Sequence, residues 1–193
     1  KLPSFRKIEP DDFVSKTVGF AHTLVRDATR DQIEEARGYV CSLFSDADKG
    51  DYLLRTLAVA LWVLPIEEFY MLTGEGSNGK TQLMSLLRAT FGDYFAEVNH
   101  TVLTKTLAAG EGPSPFIMAL RGSRLVNTAE PGEGDRIEVQ QLKHMAGNEY
   151  LVARALHGAP EPFPITFKMF MSCNDAPDMS SGGESVTRRF RKI

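Results

Sequence analysis

The sequence predicts an α/β fold, a phosphate-loop core built on a central, mostly parallel β-sheet with a small helical region ahead of it. Three observations carry this. The first is "GEGSNGKT" at residues 74–81, in which three glycines lead to a lysine and a hydroxyl. The second is its setting: the apolar run "EEFYMLTG" at 67–74 reads as a buried strand, and Leu83, Leu86, Leu87 and Phe91 recur at helical spacing after Lys80. The third is that two more core-type strands, "SRLVNTAE" and "TFKMFMSCN", follow with a helical pattern between them.

Composition sets the bounds. A chain of 193 residues, 42% hydrophobic and 24% charged, buries a core and forms one domain or one domain with an appendage. Its longest apolar run, "LAVALWVL" at 57–64, is far short of the roughly 20 residues that cross a bilayer. The N-terminus has no signal-peptide stretch, so the expectation is an intracellular protein without a membrane partner. Cys41 and Cys173 are too few and too far apart for a metal knuckle or a disulfide framework, and their apolar surroundings suit reduced core thiols. A net charge of −3 gives no global reason to expect nucleic acid, although a channel in an acidic molecule can carry local positive charge. "RRFRK" at 188–192 reads, on composition alone, as a solvated basic tail.

Residues 1–28, with Pro3, Pro10 and no clear periodicity, form a lead-in with one short helix or strand and a boundary near Thr29. Thr29 and Gln32 make a capping box, and Ile33, Ala36, Val40, Leu43 and Phe44 trace one face of the helix that follows. A second helix over 51–63, apolar almost all round and closed by Pro65, completes a helical hairpin. After the glycine loop, its helix ends near Gly92. "IEVQQLKHMAG" is a helix stopped by Gly147. In "EYLVARALHGAPEPFPITF" two β-leaning arms flank Gly158, Ala159 and Pro160, which predicts a hairpin.

The loop fits G-x-x-x-x-G-K-[ST], with Gly74, Gly79, Lys80 and Thr81 at the fixed positions and Glu75, Gly76, Ser77, Asn78 and Gln82 completing the cradle. Bare backbone amides wrap a β-phosphate, Lys80 reaches the β and γ oxygens, and Thr81 offers its hydroxyl to Mg²⁺ at the positive end of a helix. A mere flexible turn would not need a strand before it and a helix after it. Glu130 closes "RLVNTAE" and Asn174 closes "FMSCN". Each alone is an ordinary polar strand end. Joined to a phosphate loop in this order, at the end of the sheet where nucleotide sits in such folds, they make a hydrolytic site.

"FYMLTGEGSNGKTQLMSLLRATFG", "ALRGSRLVNTAEPGEG", "LKHMAGNEYLVARALHG", "ITFKMFMSCNDAP" and "TRRFRKI" resemble, in order and spacing, the superfamily 3 helicase domain of primase-helicases. The resemblance covers almost the whole chain. It is strongest to members from large DNA viruses, poxvirus-like in the broad sense, and from phages and plasmids; "KIEPDDFVSKTVGF" is similar to the stretch before the helicase in giant-virus members. One departure is that Glu130 is followed by Pro131, where many members carry adjacent acids. That leaves Glu130 as the water-activating base, a Mg²⁺-shell ligand, or both.

The resemblance implies a AAA+ core over 66–193 preceded by an oligomerisation region over 29–65. It implies a hexameric ring around single-stranded DNA at a replication fork, driven by ATP with Mg²⁺ held through Thr81 and Glu130. Arg188 and Arg189 match the family's arginine finger, which reaches a neighbouring subunit's γ-phosphate, while Arg191 and Lys192 are expected to be solvated. The hairpin between Tyr150 and Phe167 would project into the channel, with His157 and Arg154 on DNA and Lys143 as a lesser candidate; a plain surface hairpin would instead pair Arg154 with Glu149. The chain starts without methionine and stops where the family's next core strand would begin, so a primase module upstream and a DNA-handling tail downstream are expected. Such a protein works inside the host cell, in cytoplasm or nucleus, at sites of viral or phage DNA replication. A AAA+ protein remodeller shares every nucleotide motif and would differ in an aromatic pore loop, where "ARALHG" offers Arg154 and His157. A binding module with a decayed ATPase would not retain Lys80, Thr81, Glu130 and Asn174 together.

Overall fold

Apolar segments spaced by helices close into one parallel sheet. The computed structural model describes residues 6–12, 14–21, 26–64, 66–76, 78–104, 114–132, 134–147, 150–177, 179 and 188–193. The sheet strands are β1 (Phe69–Thr73), β2 (Phe95–Val98), β3 (Leu125–Ala129), β6 (Lys168–Cys173) and β7 (Phe190–Lys192), in the order β2-β3-β6-β1-β7. All four pairings are parallel. From β1 the chain crosses to the far edge at β2 and returns through β3 and β6, then passes to the other side of β1 for β7. The order therefore reverses between β6 and β1, the place where open α/β sheets leave a crevice at their carboxyl ends.

The central strands read as continuous apolar runs because both of their faces are covered. Along β1, Phe69 and Met71 enter one core with Val126, Met169, Leu142 and Leu151, whereas Tyr70 and Leu72 enter another with Leu53, Leu57, Leu83 and Phe170. The second core is supplied by α1 (Arg30–Ser42), α2 (Ala47–Leu61) and α3 (Lys80–Phe91), and the first by α4 (Thr101–Thr104), α5 (Pro115–Met118) and α6 (Val139–Ala146) together with a hairpin formed by β4 (Tyr150–Arg154) and β5 (Pro160–Pro164).

The capping box forms: Gln32 N–H donates to Thr29 Oγ1 at 3.2 Å and Thr29 N–H donates to Gln32 Oε1 at 2.9 Å. The expected apolar stripe of α1 is not all used, since Ile33 is 56% exposed and Ala36 is exposed as well. The reason is geometric. The helices meet where Cys41 lies against Gly50 and Arg37 pairs with Asp51 at 2.7 Å, so burial falls on Val40 and the turn beyond. On α3, Leu86 likewise faces out at 40% while Met84 turns in. α2 starts earlier than its apolar pattern, at Ala47, because Asp46 caps it by accepting Asp48 N–H at 3.0 Å. Pro65 lies outside the described residues.

The hairpin consists of β4 (Tyr150–Arg154) and β5 (Pro160–Pro164), with Arg154 opposite Pro160 and residues 155–159 as the tip. Pro160 is thus strand rather than turn, and the left-handed backbone falls on His157 at φ 63°. Leu151, Ala153 and Phe163 face the core, while Tyr150 and Val152 face out. Prolines at 160, 162 and 164 leave β5 without N–H donors at every second residue, which suits a strand with a free edge.

Candidate functional site

Three strand ends meet at the crevice. β1 leads into the glycine loop and α3, β3 into Glu130, and β6 into Asn174. Gly79 sits just before α3 at φ 87°, a conformation side chains resist. Gly74 is required by close approach, since a Cβ there would lie 1.8 Å from Asn78 Nδ2. This bend puts Lys80 at the first position of α3, where backbone amides and the helix dipole favour an anion.

Lys80 Nζ donates to Gly74 O, to Asn78 Oδ1 at 3.0 Å, to Glu75 O at 3.2 Å and to Asn174 Oδ1 at 3.3 Å. Asn174 N–H in turn donates to Glu130 Oε2 at 3.2 Å. A hydrogen-bonded line thus runs from α3 across the ends of β6 and β3. Gly76 is exposed in the loop, and Thr81 and Gln82 are exposed on the first turn of α3. Ser77 lies outside the described residues. Below the line, burial, with a smaller contribution from Glu130, pushes the Cys173 thiol up to about 11.

Among the described residues no group of three His, Cys, Asp or Glu side chains could hold a metal. Thr81 and Glu130 are a sparse pair, and sparse protein ligation fits Mg²⁺, which takes most of its ligands from phosphates and water.

A pocket of 390 Å³ opens beside the loop. Leu43, Phe44 and Lys49 wall one side, Gly79 and Lys80 the next, and Lys192 and Ile193 the last. The sequence reading missed Phe44, Lys49 and Lys192 here, and no spacing could have found them, since α2 and β7 reach the loop only through the sheet order.

Arg188, Arg189 and Arg191 lie at the opposite, amino end of the sheet. Arg189 O accepts Phe69 N–H at 2.8 Å, and Arg189 Nη2 pairs with Glu67 Oε2. Arg188 and Arg189 precede the Phe190–Phe69 pair, so the five residues of β1, at about 3.3 Å each, put them roughly 16 Å or more from the glycine loop of their own chain, beyond an arginine's reach. Arg188 is exposed. Arg191 departs from expectation: it is half-buried and paired with Glu68 at 2.7 Å, because β7 lays it beside the entry to β1. Lys192 is exposed as expected.

In the hairpin, Arg154 Nε donates to Gly158 O at 2.8 Å, its N–H donates to Ser114 Oγ at 3.0 Å, and its carbonyl accepts Ser114 N–H at 2.9 Å. Arg154 therefore braces the tip; Glu149 lies outside the described residues. The brace presents His157 and Leu156 to solvent, Leu156 being 69% exposed. Lys143 is half-buried on α6.

Residues 72–189 match the model of a family described as of unknown function (DUF5906). A protein of Acanthamoeba polyphaga mimivirus, provisionally named a helicase, is 31% identical over 98% of the chain. One from Frog virus 3, provisionally named a helicase, is 28% identical over 80%, and one from African swine fever virus, provisionally named a primase, is 30% identical over 61%. The chain spans only 20%, 16% and 12% of these three relatives. Among solved structures, the ligand-free C-terminal region of NrS-1 aligns with a TM-score of 0.65 at 18% identity, over 82% of this chain and 38% of that one. A second form of that region gives 0.62 at 15% identity, over 86% and 37%. This likeness is one of fold.

Proposed function

The chain belongs to the family of unknown function DUF5906, and we propose that it is the ATP-hydrolysing AAA+ core of a DNA helicase, the helicase part of a replicative primase-helicase. The observation that carries this is the line Lys80–Asn174–Glu130 across three strand ends beside a phosphate loop. On binding ATP, Lys80 exchanges its bonds to loop carbonyls for the β- and γ-phosphate oxygens, and the amides of residues 74–81 wrap the β-phosphate. Thr81 and Glu130 would hold Mg²⁺, which supplies charge neutralisation on the phosphates when bound. The nucleoside occupies the 390 Å³ pocket, with Phe44 against the base. Asn174 fixes the γ-phosphate while Glu130 orients a water, or takes its proton, for in-line attack; the new O–P bond forms as the β–γ bridge breaks.

Arg188 and Arg189 cannot reach their own chain's loop, which supports a finger acting on a neighbour in a hexameric ring. The braced hairpin with His157 at its tip supports contact with single-stranded DNA in the channel, with Arg154 and Lys143 as further cations. The helicase and primase names of viral relatives agree with a longer protein acting at viral replication sites inside the host cell. One observation favours a second reading, a AAA+ protein remodeller: exposed Leu156 at the tip could grip a polypeptide. ATP turnover measured with single-stranded DNA and with an unfolded protein separates them. Strong stimulation by DNA supports the helicase; stimulation by the unfolded protein alone overturns it.

A further inference from the structure

The amino end of the sheet holds a charged cluster whose acidic members have no part in the site described so far. Glu67 and Glu68 stand just before β1. Lys168, only 6% exposed, donates from Nζ to Ile66 O at 2.6 Å, and burial lowers its pKa. Glu68 accepts Tyr70 OH at 2.6 Å and Tyr52 OH at 3.3 Å besides its pair with Arg191 at 2.7 Å. Arg189, its side chain 16% exposed, pairs with Glu67. Burying such charges is costly unless they are paired. Two adjacent acids here each meet one arginine of the same short segment, which a solvated tail would not need.

The Glu67–Arg189 pair is held at both levels of structure. Backbone bonding of Phe69 N–H to Arg189 O fixes the register at 2.8 Å, and the ion pair then fixes the guanidinium over the same turn. Guanidinium is a rigid fork of five donors, so a carboxylate on Nη2, with the backbone held by Phe69, restricts where the remaining donors can point. We propose that Glu67 is a positioning residue for Arg189, holding that arginine at the rim in the orientation that meets a neighbouring subunit's γ-phosphate. This rests on the proposed function, in which those arginines act across subunits. Glu68, tied to Tyr52 of α2, Tyr70 of β1 and Arg191 of β7, secures the strand beneath.

Steady-state ATP turnover is measured for the wild-type chain, Glu67→Gln, Glu67→Asp, Arg189→Ala and the Glu67→Gln/Arg189→Ala double variant, with melting temperatures to verify folding. Glu67→Gln keeps the size and loses the charge, so kcat should fall about 10- to 100-fold with KM little changed. Glu67→Asp, which keeps the charge, should recover most of the rate. Arg189→Ala should fall on the order of 10³-fold, and the double variant no further, because Glu67 acts through Arg189. A wild-type kcat in Glu67→Gln, a raised kcat, or multiplicative losses in the double variant each overturn the inference while the proposed function stands. A wild-type chain that neither binds nor hydrolyses ATP overturns the proposed function, and this inference with it.

Discussion

Glu130→Gln removes a charge from the site and little else. Asn174 N–H donates to Glu130 Oε2 at 3.2 Å, and a glutamine amide oxygen accepts the same bond. Glu130 is half-buried at the end of β3, where a neutral amide causes no new desolvation penalty. Stability should therefore change by under about 1 kcal/mol, a shift of about 2–4 °C in Tm for a chain of this size. Orienting or deprotonating the attacking water is worth about 10²–10⁴-fold. At about 1.36 kcal/mol per tenfold, the barrier rises by roughly 2.7–5.4 kcal/mol. The assay pairs phosphate release at saturating Mg²⁺-ATP with titration of a fluorescent ATP analogue. A base or water-orienting role predicts the full loss in kcat with Kd nearly unchanged; a metal-shell role predicts that Kd rises too. An unchanged kcat in a folded variant refutes both roles.

Leu53 is fully buried in the core shared by α2 and the sheet, so Leu53→Ala should cost about 2–5 kcal/mol and lower Tm by several degrees on circular dichroism; no shift would mean that the helical pair does not share that core. If the hairpin holds DNA phosphates, Arg154→Ala should weaken single-stranded DNA binding for all sequences and lower the slope of log affinity against log salt by up to ~0.7, with a smaller effect for His157→Ala. Anisotropy across a salt series with neither parameter changed in either variant would place DNA elsewhere. The Cys173 thiol, raised to about 11, favours its protonated form in the fold, so its contribution to stability is complete below pH ~9 and lost as pH rises toward 11. At pH 8 a thiol reagent should label half-buried Cys41 first and Cys173 only on unfolding; equal rates in the folded protein would contradict this.

The strands β1, β3 and β6 were legible because both of their faces are covered and their apolar runs are unbroken. β2 and β7 were not. "FAEV" and "FRK" are edge strands of four and three residues that bury little, so their pairing comes from neighbours rather than from their own pattern. The single turns α4 and α5 are too short for helical periodicity to register. At the candidate site, the sequence singles out Lys80 by the glycine-loop pattern and Glu130 and Asn174 as polar strand ends, and the structure brings these three residues together. Their mutual bonds needed the strand order, which puts β6 between β1 and β3. Phe44 and Lys49 reach the loop only through the packing of α1 and α2 on the sheet. Arg191 read as a tail residue because its partner, Glu68, stands far upstream at the start of β1.

The central claim is that the loop and Lys80 hold the phosphates of ATP, and calorimetric titration of Mg²⁺-ATP into the wild-type chain and into Lys80→Ala tests it most directly. Lys80 is partly exposed and its bonds run to the loop carbonyls of Gly74 and Glu75 and to the side chains of Asn78 and Asn174, so its removal should leave the fold intact. Loss of an ammonium making about two charge-assisted bonds, at about 1.5–3 kcal/mol each, predicts binding weaker by about 10²–10⁴-fold. Equal affinity in the two folded proteins, or no binding by the wild type, would contradict the account.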